Sequence, residues 1–200
     1  GNIIATTLTN AQGQYQFSNL RPGEYSVREI QPDGYFHGGQ SAGSGGGDAS
    51  IDDLIRSIDL NPGADLVNYD FCELEPGSLA GRVFADLDFD CIQDPNEQSI
   101  SGVEIQLLDS VGNIIATTLT DLQGEYQFVN LRPGQYSVRE IQPEGYFHGG
   151  QVAPTVGADA TVDDLLSGIT VSPGADITEA NFCENPPATI TGFVFQDGDV

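Results

Sequence analysis

The stretch Thr120–Tyr146, which reads TDLQGEYQFVNLRPGQYSVREIQPEGY, contains the strand pattern from which the fold is predicted. Its aromatic and aliphatic residues alternate with polar ones, as in β-strands that bury one face. Three turn signals divide it, and they are Leu122-Gln123-Gly124, Arg132-Pro133-Gly134 and Pro143-Glu144-Gly145. The residues expected to form one side of a core are Tyr126, Phe128, Leu131, Tyr136 and Val138. The sequence therefore predicts an all-β structure.

An internal repeat sets the domain organisation. Residues 1–9 read GNIIATTLT and recur at 112–120, an offset of 111 that holds without a gap along the chain. Since two units of 111 residues exceed the 200 present, we expect the chain to begin and end within a repeat. The predicted domains are 1–75, an incomplete repeat without its first strand and acidic loop, 76–187, a complete sandwich, and 188–200, the first strand of a third repeat.

Further strand signals fill the complete unit. They lie at 79–84, 103–108, 113–119, 169–171 and 177–183. A single helical turn is expected at 163–166, where two aspartates precede two leucines. A repeat of this length suits one immunoglobulin-like β-sandwich of roughly 100 residues.

The motif T-D-x-x-G-E-Y-x-F-x-N-L-x-P-G-x-Y-x-V-x-E-x-x-P-x-G-Y of Thr120–Tyr146 carries a family resemblance. It is similar to the serine-aspartate repeat B domains and the collagen-adhesin B-type (prealbumin-like) domains of bacterial surface proteins. The resemblance covers the whole repeat. It implies tandem β-sandwiches in the stalk of a protein that is extracellular, either secreted or at the cell surface.

An acidic loop follows the first strand of the complete unit. Carboxylates stand at positions 1, 3, 5, 9 and 12 of twelve residues, the ligand spacing of an EF-hand calcium loop. The predicted calcium ligands are Asp86, Asp88, Asp90, the carbonyl of Ile92, Asp94 and Glu97, with Asp197 and Asp199 beginning the same loop in the next unit. Position 6, normally glycine, is Cys91, and strands flank the loop instead of helices. The similar B-type repeats carry such a loop and bind calcium, so we expect calcium here and not a merely solvated turn.

A second cation site is a weaker expectation. The paired acids Asp52-Asp53 and Asp163-Asp164, with Asp48 and Asp159 upstream, recur at the repeat offset. A solvated loop is the favoured interpretation of these residues.

Two disulfide pairings respect the repeat. The chain has three cysteines, of which Cys72 and Cys183 occupy the same repeat position. Cys91 with Cys183 closes one sandwich, whereas Cys72 with Cys91 joins neighbouring units. The first strand and the last strand of an odd-stranded sandwich end at the same pole, so geometry favours Cys91–Cys183. A disulfide fits an extracellular protein.

No catalytic constellation is evident, and we expect no enzyme. His37 and His148, one per repeat, are interpreted as structural or exposed. Glu29 and Glu140 match the glutamate that promotes a lysine–asparagine crosslink in collagen-adhesin domains. This chain contains no lysine, so that crosslink cannot form and Glu140 is interpreted as an ordinary polar strand residue. Calcium and the disulfide are expected to take the place of the crosslink.

Composition excludes other classes of function. The formal net charge of −24 opposes binding to phosphate backbones and to anionic membranes. No apolar run is long enough to span a bilayer. The expected partners are other copies of the repeat, in tandem or in neighbouring chains, which could also donate a strand. The short proline-containing linkers 74–77 and 185–187 favour an extended stalk.

The alternative function is an adhesin module that binds a matrix protein or a glycan. Its loop would be the variable stretch 41–50 or 152–161. That stretch is rich in small residues and not in aromatic ones, which favours a spacer.

Overall fold

The computed structural model describes residues 1–155 and 157–196, and every regular element in those ranges is a β-strand. The strands are β1 (Gly23–Arg28), β2 (Phe36–Ser41), β3 (Asp48–Ile51), β4 (Leu54–Leu60), β5 (Asp70–Leu74), β6 (Gly77–Ala85), β7 (Glu104–Leu108), β8 (Ile114–Leu119), β9 (Glu125–Leu131), β10 (Gly134–Glu140), β11 (Phe147–Val152), β12 (Asp159–Val162), β13 (Leu165–Val171), β14 (Asp176–Ile177) and β15 (Asn181–Asn185). The all-β prediction is confirmed.

The chain divides after Glu73 into two compact units, called unit 1 and unit 2. Within the described ranges, no helix is present that could cross a membrane.

Unit 2 is a β-sandwich of two sheets. One sheet has the strand order β12-β13-β10-β7-β8, and the other has the order β11-β15-β6-β14, with β9 also paired to β6. Most neighbours are antiparallel, but β6 runs parallel to both β14 and β15. The core between the sheets consists of buried apolar side chains, among them Leu79, Val83, Ile105, Leu107, Phe128, Val138, Leu166, Ile169 and Phe182.

The core residues of the stretch Thr120–Tyr146 come from both sheets. Tyr126, Phe128 and Leu131 lie on β9, which pairs with β6, whereas Val138 lies on β10 in the opposite sheet. The expectation that they form one side of the core was therefore wrong. Arg132 and Pro133 carry the chain from one sheet to the other, so this turn is a crossover and not a hairpin.

Two local predictions also need correction. No helical turn forms at 163–166, because the chain turns back between β12 and β13 with Asp164 at φ +60°, and β13 starts at Leu165. Strand β11 was not predicted, since its two glycines dilute the apolar pattern. Close packing requires glycine at 149, where a Cβ would lie 2.6 Å from the Cys183 carbonyl oxygen, and leaves little room at Gly150, where a Cβ would lie 3.1 Å from Cys183 Sγ.

Unit 1 contains a three-stranded sheet, β1-β4-β3, and a two-stranded sheet, β2-β5. Residues 1–22 form no strand. Residues 186–196, which repeat the sequence region of β6, likewise form no strand, and Ile190 and Val194 are fully exposed there.

Candidate cation sites and the disulfide

The acidic loop begins where β6 ends. The Asp86 amide donates to the Glu184 carbonyl at 2.8 Å, which continues the β6–β15 ladder by one step into the loop. Asp86 and Glu97 are 2% and 7% exposed, so two carboxylates are buried at the base of the loop. Oxygens of Asp86, Asp88 and Glu97 all lie within 4.8 Å of one another. The loop therefore gathers hard oxygen ligands of the kind that calcium takes.

The other predicted ligands lie around this group. Asp90 Oδ1 accepts from the Ile92 amide at 2.8 Å, and Glu97 Oε2 accepts from the Asp94 amide at 2.9 Å. Loss of hydration, followed by the charges of Asp90 and Glu97, raises the pKa of Asp88. The structure thus brings three of the five carboxylates together and leaves Asp90 and Asp94 at their edge. Asp197 and Asp199 lie outside the described residues.

The backbone of the loop makes the turn that an EF-hand makes with glycine. Asp86 accepts from the amides of Phe89 and Cys91 at 2.8 and 3.0 Å. Phe89 and Cys91 have φ of +70° and +55°, in the left-handed region that ordinary residues rarely occupy. Cys91 at position 6 therefore adopts the conformation for which glycine is usual, and this departure from the EF-hand pattern does not prevent the turn.

A disulfide joins Cys91 to Cys183, with the Cα atoms 5.5 Å apart. This is the pairing that strand geometry favoured. Its cause is visible in the register, because β6 and β15 are parallel neighbours with Phe84 opposite Cys183, so both strands end at the same pole. Cys72, the residue of unit 1 equivalent to Cys183, is exposed and forms no disulfide.

A second cluster, called the histidine–acid cluster, lies at the edge between the two sheets of unit 2. It consists of His148 on β11, Asp164 in the β12–β13 turn, Glu184 on β15 and Glu140 at the end of β10. His148 Nδ1 lies 2.8 Å from Asp164 Oδ1, and Nε2 lies 3.4 Å from Asp163 Oδ1. Ligand atoms of His148, Asp164 and Glu184 are all within 4.8 Å of one another.

Two carboxyl groups of this cluster are buried. Glu140 is 2% exposed and Glu184 is 0% exposed, so the interpretation of Glu140 as an ordinary polar strand residue was wrong. Burial, followed by the charge of Glu184, raises the pKa of Glu140. Burial also raises the pKa of Glu184, against the opposing effect of a hydrogen bond from Gln142. The alternation of β10 does contain a sign of this burial, because Glu140 lies two residues after Val138 and therefore on the same, inward face of the strand.

Unit 1 repeats the cluster with His37, Asp53, Glu73 and Glu29. His37 Nδ1 lies 2.8 Å from Asp53 Oδ1, and the ligand atoms of His37, Asp53 and Glu73 again lie within 4.8 Å of one another. Burial, followed by the charge of Glu73, raises the pKa of Glu29. The structure therefore groups each histidine with the second aspartate of its pair, a combination that the sequence did not suggest.

The upstream aspartates take no part in these clusters. Asp48 forms an ion pair with Arg56, whose Nη2 lies 2.7 Å from Asp48 Oδ2. Asp159 accepts from the Thr161 amide at 2.9 Å. The weaker cation site that combined them with the paired acids is therefore not assembled as predicted.

Comparison with known proteins agrees with this fold. Residues 1–73 and 77–181 match the family model described as the SdrD B-like domain. The chain belongs to the SdrD B-like domain family. This confirms the resemblance to serine-aspartate repeat B domains and indicates an extracellular, secreted or cell-surface location.

Relatives are serine-aspartate repeat-containing proteins of staphylococci. Protein F of Staphylococcus epidermidis is 41% identical over 148 residues, which are 72% of this chain and 9% of that protein. Protein D of Staphylococcus aureus strain Newman is 31% identical over an alignment of 206 positions, which covers 98% of this chain and 15% of that protein. The chain therefore corresponds to a small part of each relative.

Among solved structures, the minor pilin GBS52 of Streptococcus agalactiae aligns with a TM-score of 0.39 and 16% identity, over 92% of this chain and 70% of that one.

Proposed function

We propose that the chain is a structural repeat of an extracellular bacterial stalk or filament, stiffened by calcium and by the Cys91–Cys183 disulfide. The observation that supports this most is the recurrence of one strand arrangement within a single chain. Strands β2, β3, β4 and β5 have bounds that, after a shift of 111 residues, coincide with those of β11, β12, β13 and β15. The partners are other copies of the repeat, in tandem or in neighbouring chains.

The terminal strands of unit 2 suit a load-bearing role. Because β6 and β15 are parallel neighbours, tension applied at the two ends of the unit shears their hydrogen bonds together instead of opening them one by one. The disulfide adds a covalent route along the same path. Tension passes from β6 to Cys91, across the disulfide to Cys183 and out of β15. The intervening residues, which form nearly the whole core, are bypassed.

Stretching single molecules tests the mechanical role. A reduced chain should release about 30 nm more extension from unit 2 than an oxidised chain, since the sequence separation of the cysteines is 92 residues, each of which spans about 3.3–3.6 Å when extended. Cys72→Ser is the matched control and should leave the difference unchanged. Equal extension before and after reduction would contradict the covalent route.

Calcium binding at the acidic loop is part of the proposal. Asp86, Asp88 and Glu97 would hold the ion, with Asp90, Asp94 and the Ile92 carbonyl completing the set. All of these are hard oxygen donors, and two of the carboxylates are buried. A bound cation would offset the mutual repulsion of the carboxylates and fix the loop that carries Cys91.

Calorimetric titration and thermal melting test calcium. We expect one ion per chain in this loop and a melting temperature that falls when calcium is chelated. Glu97→Gln should abolish both effects, whereas Glu144→Gln, the same change at an exposed turn, should abolish neither. Absence of calorimetric binding together with an unchanged melt in chelator would defeat the calcium part and leave the disulfide part standing.

A further inference from the structure

The histidine–acid cluster contains buried carboxylate oxygens that nothing in the protein satisfies. Gln142 Nε2 donates to Glu184 Oε2. The remaining oxygen of Glu184 and both oxygens of Glu140 are buried without a hydrogen-bond donor. Glu140 and Glu184 face each other closely enough to share a hydrogen bond, but only if one of the two carries a proton. Leaving such groups unsatisfied in a protein interior is costly, so a ligand that carries positive charge is expected at this point.

The donor set identifies the class of ligand. The cluster offers one imidazole together with carboxylates from Asp164 and Glu184, and a third carboxylate from Glu140 stands behind them. Mixed imidazole and carboxylate ligands suit zinc and neighbouring divalent transition metals, whereas calcium takes oxygen alone. The ligand atoms lie within 4.8 Å of one another. Bonds of about 2.0–2.2 Å require the wider pairs to close in, whereas His148 Nδ1 and Asp164 Oδ1, which are 2.8 Å apart, must separate slightly.

The same arrangement forms in both units. In unit 1, Glu29 Oε2 and Glu73 Oε1 are likewise buried without a hydrogen-bond partner. The distance from His37 Nδ1 to Asp53 Oδ1 equals that from His148 Nδ1 to Asp164 Oδ1, 2.8 Å in each case. Residues 1–22 form no strand, yet the cluster of unit 1 is intact. Its geometry therefore depends on elements that both units possess.

We propose that each histidine–acid cluster binds one divalent transition-metal ion, with zinc as the representative, so that the chain holds two such ions. This site differs from the calcium loop in its ligands. It also occurs twice, whereas the acidic loop occurs complete only once in this chain. It does not rest on the proposed stalk function.

Zinc titration of the intact, oxidised chain in excess calcium tests the proposal. Calorimetry should give two zinc ions per chain, and cobalt substituted for zinc should give visible absorption bands that report its coordination number. His148→Gln should reduce the stoichiometry to one, and His37→Gln with His148→Gln should reduce it to zero. Asp164→Asn preserves the shape of the turn but removes a charged ligand, and it should weaken the unit 2 site by more than the roughly 10- to 100-fold that is lost when a group behind the ligands is removed.

Glu144→Gln, a change of an exposed turn residue, is the control and should retain both zinc ions. Circular dichroism melts of each variant show whether the unit is still folded when its zinc binding is measured. Two zinc ions retained by the double histidine variant would overturn the proposal. So would an absence of zinc binding to the unmodified chain, which would mean that Glu140 and Glu184 share a proton instead of a metal.

Discussion

Units 1 and 2 share one stretch of nearly identical sequence that forms strands in unit 2 but none in unit 1. Residues 1–22 and 112–133 differ at four positions, 10, 11, 14 and 18 of the first copy. The second copy contains strands β8 and β9, whereas the first contains no strand. Ile3 is 86% exposed and its equivalent Ile114 is 52% exposed. Local sequence is therefore insufficient for these strands.

The difference between the two copies follows from whether partner strands are present. In unit 2, β8 pairs with β7 and β9 pairs with β6. Among the described strands of unit 1, none is equivalent to β6 or β7, so residues 1–22 have no ladder to join. Strands β1 to β5 pair among themselves and form in unit 1. Strand formation in this repeat thus follows the presence of non-local hydrogen-bond partners and not propensity alone.

The largest expected effect comes from supplying the partner strands. Fusing a second copy of residues 77–111 ahead of Gly1 should convert residues 3–8 and 14–20 into strands. Hydrogen exchange of peptides from 1–22 should slow by a factor on the order of 10³ or more, since core amides exchange only through large openings. A fusion with aspartate at the positions of Leu79 and Val83 is the matched control, because it cannot pack into the core. Equal exchange in the two fusions would show that partner strands are not the limiting factor.

Removing the disulfide should have the next largest effect. Unit 2 contains this disulfide and the equivalent cysteine of unit 1 forms none, so the same substitution should change the stability of unit 2 alone. Cys183→Ser should lower the free energy of unfolding of unit 2 by about 4–5 kcal/mol, the chain-entropy value for a loop of this size. Cys72→Ser, the equivalent change in unit 1, should have no measurable effect because Cys72 is exposed and forms no disulfide. Urea unfolding followed by circular dichroism measures both. Similar losses in the two variants would contradict the assigned pairing.

Sequence predicted those features that depend on local pattern or on the repeat. The alternation in Thr120–Tyr146 predicted β9 and β10. The expectation that the first and last strands of an odd-stranded sandwich end at the same pole predicted the Cys91–Cys183 pairing. Pattern could not assign the strands to sheets, because the turn at Arg132-Pro133 looks the same whether the chain reverses or crosses over. It also missed β11, where Gly149 packs against the backbone of Cys183 and Gly150 against the disulfide.

The histidine–acid cluster illustrates a second limit of the sequence. His148, Asp164 and Glu184 are separated by many residues and meet only because β11 pairs with β15 and the β12–β13 turn reaches them. The acidic loop was predictable since its ligands are consecutive. Even there, sequence spacing gave six ligands, whereas the structure groups Asp86, Asp88 and Glu97.

A smaller effect on stability is expected at Tyr126 and Tyr15, which occupy equivalent positions in the two units. The Tyr126 hydroxyl donates to the Ala180 carbonyl and the Tyr15 hydroxyl donates to the Tyr69 carbonyl, each at 2.5 Å, but Tyr126 is buried and Tyr15 is half-buried. Tyr126→Phe should cost about 1–2 kcal/mol, because a buried carbonyl loses its donor. Tyr15→Phe should cost less, since water can replace the hydroxyl. Denaturant unfolding of the two variants measures the difference.

The same tyrosines predict a difference at alkaline pH. Burial raises the pKa of Tyr15 to about 12, and it raises the pKa of Tyr126 well above its ordinary value. Each tyrosine ionises near pH 10 in the unfolded chain but stays neutral when folded. Their contribution is therefore complete below pH 10 and is lost as the pH rises above 10. Tyr126→Phe should remove part of that alkaline loss in unit 2, and an unchanged pH slope in this variant would contradict the burial.

The smallest expected effect concerns a charge pair that only unit 1 possesses. Arg56 contacts Asp48 through Nε and Nη2, each 2.7 Å from Oδ2, whereas unit 2 has Ser167 in place of Arg56. Hydrogen bonds from Ser50, followed by those from Arg56, lower the pKa of Asp48 to about 2. In unit 2, hydrogen bonds from Thr161 alone lower the pKa of Asp159.

Exchanging these residues tests how much of the difference belongs to the arginine. Arg56→Ser should raise the pKa of Asp48 only part of the way to its ordinary value, because the Ser50 hydrogen bonds remain. Ser167→Arg should lower the pKa of Asp159 further. Both shifts should shrink in 1 M salt, since the pair is exposed and is screened by ions. Carboxyl carbon resonances followed through a pH titration measure them, and identical titrations of Asp48 with and without Arg56 would assign the whole effect to the Ser50 turn.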